Sequence, residues 1–150
     1  MSDPLAYHIT WTTYGTWLSG DTRGWVKGGE AGIREPDPDI EAEVKARMTD
    51  DPVILTGEQR EVVEATIRGV VAHRGWSLHA LNVRTNHVHL VVTAERHPDV
   101  VMEQFKAWCS RRLSEKLGRK RKWWTEHGST KWINDEAYLA NAIRYVNEGQ

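Results

Sequence analysis

Two histidines stand one residue apart in the apolar run Asn86-His87-Val88-His89-Leu90-Val91-Val92. Side chains of a β-strand alternate between faces, so His87, His89 and Val91 would point one way and Val88, Leu90 and Val92 the other. Neutral imidazoles held side by side on a strand can share one divalent cation while the opposite face anchors them in a core. The pair alone fits equally a plainer arrangement, in which both rings are hydrogen-bonded or face solvent. A second candidate, Tyr145, lies near the far end of the chain. A phenol titrates at about pH 10 and is a poor nucleophile at neutrality, but a phosphodiester whose oxygens are held by a cation is far easier to attack. The product would be a phosphotyrosine, which keeps the energy of the broken bond for a later rejoining step. Taken alone, a helical tyrosine is more often a half-buried packing residue.

The elements that must position these groups follow from periodicity. Tyr7-His8-Ile9-Thr10-Trp11-Thr12-Thr13-Tyr14 alternates and is rich in β-branched and aromatic residues, which predicts a first strand. Glycines and prolines then punctuate a polar insertion at about 20–56, within which 40–48 could form a short helix and which is expected to be peripheral. Thr56-Gly57-Glu58-Gln59 reads as a capping sequence for a helix whose apolar residues recur from Val62 to Val71 and stop at Gly75. Strands are expected at Trp76–Val83, with Leu78, Ala80 and Asn82 on one face, and at His87–Thr93, joined as a hairpin. A second helix is expected from about Asp99 to Leu117, ending at Gly118. One or two strands follow around a turn at Glu126-His127-Gly128-Ser129. Asn134 or Asp135 can cap a last helix with Leu139, Ala142, Ile143 and Val146 on its apolar face.

This order predicts an α+β fold, a ferredoxin-like split β-α-β sandwich with an antiparallel sheet and two helices on one face, plus a C-terminal helix. The first and third strands would then be central, bringing His8 and Thr10 near the histidine pair. With 150 residues a single domain over 1–150 is expected. Trp11, Trp76, Trp108 and Trp132 are assigned to the core. His8, His73, His79, His97 and His127 receive no metal role, because none has the spacing of a ligand set.

The single cysteine, Cys109, rules out an intrachain disulfide and a thiolate-rich zinc site. Apolar runs are too short to span a bilayer, and Met1-Ser2-Asp3-Pro4 lacks the flank and core of a secretory signal, so a cytoplasmic location without membrane contact is the expectation. The net charge of -1 conceals a polarised chain. Acids dominate from Glu30 to Glu64, whereas Arg111, Arg112, Arg119, Lys120, Arg121 and Lys122 form a basic stretch that runs directly into Trp123-Trp124. Cations interleaved with stacking rings suit single-stranded nucleic acid, although charge runs are often merely solvated faces.

Asn86-His87-Val88-His89 with Tyr145 on a C-terminal helix resembles the single-tyrosine HUH transposases of small insertion sequences and the REP-associated tyrosine transposases. Thr12-Thr13-Tyr14-Gly15-Thr16-Trp17-Leu18, Gly20-Asp21 and Arg23-Gly24-Trp25 are also similar to the N-terminal stretch of one branch. The resemblance implies metal-dependent cleavage and strand transfer of single-stranded DNA beside a hairpin, through a 5′-phosphotyrosine on Tyr145. By the same implication His87 and His89 are ligands of Mg2+ or Mn2+, and a homodimer is allowed. The family's third ligand, one helical turn after the tyrosine, falls here on Gly149; Gln150 is taken as its replacement, with Glu148 the other neighbour. That departure also motivates the alternative of a non-catalytic single-stranded DNA-binding or regulatory module.

Overall fold

The computed structural model describes residues 4–16 and 51–148. In chain order they form β1 (Ala6–Thr13), α1 (Gly57–Arg74), β2 (Ser77–Val83), β3 (His87–Thr93), α2 (Pro98–Leu117), β4 (Trp124–Ile133) and α3 (Glu136–Asn147). The helix expected at 40–48, and most of the insertion, lie outside the described residues. Its final segment is not peripheral. Val53 and Leu55 are buried, and their amides donate to the carbonyls of Tyr14 (2.8 Å) and Thr85 (2.7 Å), so this stretch seals one end of the sandwich.

Helix boundaries follow local chemistry. Thr56 and Gln59 form a reciprocal capping box: the Gln59 amide donates to Thr56 Oγ1 (3.1 Å) and the Thr56 amide to Gln59 Oε1 (3.0 Å). Gly75 and Gly118 end α1 and α2 at φ of 74° and 86°, a left-handed conformation that costs other residues energy. Asp135 caps α3 through the Tyr138 amide (2.7 Å).

The sheet is antiparallel, in the order β2-β3-β1-β4, so β1 and β3 are central as expected. On one face, Ile9, Trp11, Val88, Leu90 and Val92 pack with Ile67 of α1 and with Phe105 and Leu113 of α2 in the main core. On the other face, Ala6, Val91 and Ile133 pack with Ala142 and Val146 of α3. The α+β sandwich with two helices on one face and an added C-terminal helix is therefore the observed fold, and α3 covers the face that carries the histidines.

Three local expectations need correction. A bulge between Leu78 and Ala80 flips the alternation of β2, so Leu78 joins Leu81 and Val83 at the main core while Ala80 faces α3. Residues 126–129 do not reverse the chain: β4 continues through them as one strand, with a register shift opposite Thr12, and Gly128 pairs with Trp11. A Cβ there would come within 2.6 Å of both the Thr10 carbonyl and Met102 Sδ, so the glycine permits a close approach of strands and helix. Trp11 and Trp76 are core residues, but Trp108 and Trp132 are 37% and 46% exposed. Trp132 is half-covered by the rings of Tyr7 and His97, and Trp108 lies under Arg111 and Arg112.

Candidate functional site

Alternation along β3 sends His87 and His89 to the α3 face, as the sequence predicts. Register then brings in β1: Thr10 pairs with His89 and Thr12 with His87. The His87 and His89 rings are 5.2 Å apart, centroid to centroid. His89 is 1% exposed, and burial, with smaller contributions from His87, His8 and Arg84, pushes its pKa down to about 4. Burial first and Arg84 second also lower the pKa of His87. Both rings are thus held neutral at physiological pH, the form that ligates metal.

Their nitrogens suit that use. His87 Nδ1 lies 2.9 Å from Asn86 Oδ1, an acceptor, so Nδ1 carries the proton and Nε2 keeps its lone pair. His89 Nε2 is buried without a hydrogen-bond partner, an orphan that a bound cation would satisfy. Among the described residues no group of three or more His, Cys, Asp or Glu side chains could hold a metal, so a cation held by this pair would need a further ligand from elsewhere. Gln150, the expected third ligand, lies outside the described residues. Glu148, the other neighbour of Gly149, is exposed at the C-cap of α3.

Tyr145 reaches the pair because α3 is anchored on either side of it. Ala142 and Val146 are buried against Val91 and Ala80, and Asn82 Nδ2 donates to the Val146 carbonyl (3.0 Å). The Tyr145 ring, 48% exposed, stands edge-on to His89 at 6.0 Å and to His8 at 5.9 Å. These groups open on one cavity of about 540 Å3, lined by His8, Thr10, His87, His89, Ser129, Lys131, Tyr138, Asn141, Ala142 and Tyr145. His8, to which no role was assigned, is therefore part of the site; its position was legible from strand parity, its orphaned Nε2 was not. Burial, and then Lys131, hold the His8 pKa below its ordinary value.

The basic stretch is placed elsewhere; none of its residues lines this cavity. Arg111 and Arg112 lie on the exposed side of α2, sharing Glu115 and covering Trp108. Arg112 and Trp108 border a larger groove of about 750 Å3 between α1 and α2, whose lining lacks the histidine pair and Tyr145. Arg119, Lys120 and Lys122 are exposed in the link to β4, while Arg121 lies over the Trp123 ring and donates to the Lys122 and Asp51 carbonyls. Trp123 and Trp124 are buried, at 3% and 9% exposure. Their indole N–H groups donate to Ser114 Oγ (2.8 Å) and the Lys106 carbonyl (3.1 Å), so these rings secure β4 to α2 and are not presented to bases. The sequence signal was misleading because a Trp pair beside cations looks the same whether its rings face out or in.

The model of the family described as "Transposase IS200 like" matches residues 46–148. No curated protein matches the chain. Among solved structures, a candidate transposase from Deinococcus radiodurans R1 aligns over 99% of this chain and 92% of its own, with a TM-score of 0.55 and 16% identity. A REP-associated tyrosine transposase, solved bound to a REP hairpin, aligns over 97% of this chain and 66% of its own, with a TM-score of 0.58 and 12% identity. At such identities the structural likeness concerns the fold, and the match over 46–148 concerns descent. The chain belongs to the IS200-like transposase family.

Proposed function

We propose that this transposase-family protein cleaves and rejoins single-stranded DNA beside a hairpin, with Tyr145 as nucleophile. The observation that carries the reading is the seating of the Tyr145 ring 6.0 Å from that of His89, above a cavity that also holds His87. His87 and His89, with Gln150 as third ligand, would hold Mg2+ or Mn2+, whose chemistry there is to draw electron density from the phosphodiester oxygens. The Tyr145 oxygen attacks phosphorus; the bond to the 3′ oxygen breaks; the phenol loses one proton and the departing 3′ oxygen gains one. A 5′-phosphotyrosine and a free 3′ hydroxyl result, and attack by a second 3′ hydroxyl reverses the step. His89 and His87, kept neutral by burial, stay available as ligands rather than as cations that would repel metal. Arg111, Arg112, Arg119, Lys120, Arg121 and Lys122 would carry flanking phosphates. The hairpin bound by the REP-associated neighbour supports DNA of that shape as the partner.

The test is incubation of the protein with end-labelled single-stranded hairpin DNA and Mn2+, followed by denaturing electrophoresis. A covalent adduct is expected with the wild type and lost in Tyr145→Phe and in His89→Ala. An adduct that survives Tyr145→Phe refutes the nucleophile; salt-sensitive binding with no adduct supports the non-catalytic module instead.

A further inference from the structure

We propose that Lys131 is the phosphate-holding residue of this cavity, its ammonium taking a non-bridging oxygen of the DNA strand that lies against Tyr145; this deepens the reading of the cavity as the DNA-processing site. In the β1–β4 register Lys131 lies directly across from His8, and Ser129 across from Thr10. Strand alternation then puts Lys131 on the α3 face, and it lines the cavity together with Asn141 and Tyr145. Its field reaches the His8 ring.

Charge makes the case. Among the described residues, Lys131 is the one formally charged residue lining the cavity, and none of its lining residues is a carboxylate. On the helices, Arg68 is paired with Glu64, Lys106 with Glu103, Arg111 and Arg112 with Glu115, and Lys116 with Glu58. Lys131 forms no ion pair among the described residues. An exposed ammonium of this kind is a strongly hydrated point charge, which suits a phosphate oxygen that must be gripped and released. The Ser129 hydroxyl and Asn141 amide beside it add neutral donors. The ligand class is thus a polyanion backbone, and Lys131 fixes where one phosphate sits relative to the phenol.

Binding is measured by fluorescence anisotropy with a labelled single-stranded hairpin oligonucleotide in EDTA over a salt series, comparing Tyr145→Phe with Tyr145→Phe carrying Lys131→Gln. Loss of one phosphate contact lowers the slope of log K against log salt by about 0.7, and Lys131→Arg restores it. A methylphosphonate scan then finds one phosphate whose neutralisation weakens Tyr145→Phe but leaves the Lys131→Gln form unaffected, next to the cleavage position mapped with the wild type. An unchanged slope, or a scan with no such position, overturns the proposal. A reduced slope in a protein that never forms an adduct leaves Lys131 as the phosphate holder and removes Tyr145 as nucleophile. If no form binds the oligonucleotide, both readings fall.

Discussion

Gly128→Ala offers the sharpest test of how the sheet holds the site. The added methyl would sit 2.6 Å from the Thr10 carbonyl oxygen and from Met102 Sδ, and 3.2 Å from Trp11 Cβ. Gly128 is not among the residues with positive φ, so the substitution introduces a steric clash and no backbone strain of its own. Met102 could swing its thioether aside, but the carbonyl belongs to β1 and moves only with the strand. To reach ordinary contact the strands must part by roughly half an ångström or more. Such overpacking costs about 1–3 kcal/mol, and the backbone contact favours the upper end. Reduced freedom of the unfolded chain offsets about 0.4–1 kcal/mol, leaving a net loss of about 2 kcal/mol. With an unfolding entropy of about 2.1 cal/mol/K per residue, this lowers Tm by roughly 6 °C. Urea denaturation and thermal circular dichroism measure both. Since Thr10 also pairs with His89, the displacement reaches the site, and Mn2+ affinity by calorimetry falls with the stability. A variant within about 0.5 kcal/mol of the wild type refutes the close-approach argument. Complete rescue by Met102→Ala would instead trace the cost to the side chain, not the strand.

Gly69→Ala has the opposite sign: a Cβ there meets nothing within 4 Å on the exposed side of α1, so denaturation should show a gain of about 0.5–1 kcal/mol. Acid sensitivity follows from His89, whose pKa of about 4 in the folded protein lies below the ordinary 6.5. Between these values the unfolded chain binds more protons, so His89's contribution is complete above pH 6.5 and is lost as pH falls toward 4, with a slope approaching 1.4 kcal/mol per pH unit. Urea titrations in EDTA at stepped pH should show this slope reduced in His89→Gln; identical slopes would contradict it. Asn82→Ala removes the bond to the Val146 carbonyl and should cost about 1 kcal/mol, read as faster hydrogen exchange in α3 and slower adduct formation by Tyr145.

Much of the site was legible because its determinants are short-range. The one-residue spacing of His87 and His89 decides their common face wherever β3 is regular, and Thr56, Gly75, Gly118 and Asp135 mark helix ends through bonds to their own neighbours. The β2 bulge was not legible, since one unpaired residue leaves no mark in an apolar alternation. Gly128 reads as a turn residue in the sequence because the letter does not say whether glycine is needed for φ or for space. Trp108 and Trp123 show the same limit: both follow helix-compatible or basic stretches, yet one ring is open under two arginines and the other is bonded to Ser114.

By itself, the sequence determined the element order, the family resemblance, and that two imidazoles and a phenol were available on a strand and a terminal helix. Periodicity and capping are local, so they survive reading one letter at a time. Tertiary structure decided which groups meet. Strand register set Thr10 beside His89 and Lys131 beside His8, the docking of Ala142 and Val146 turned Tyr145 toward His89, and burial made the imidazoles neutral. Those outcomes depend on contacts between residues far apart in the chain, and desolvation exists only once the sheet and α3 have closed over the ring.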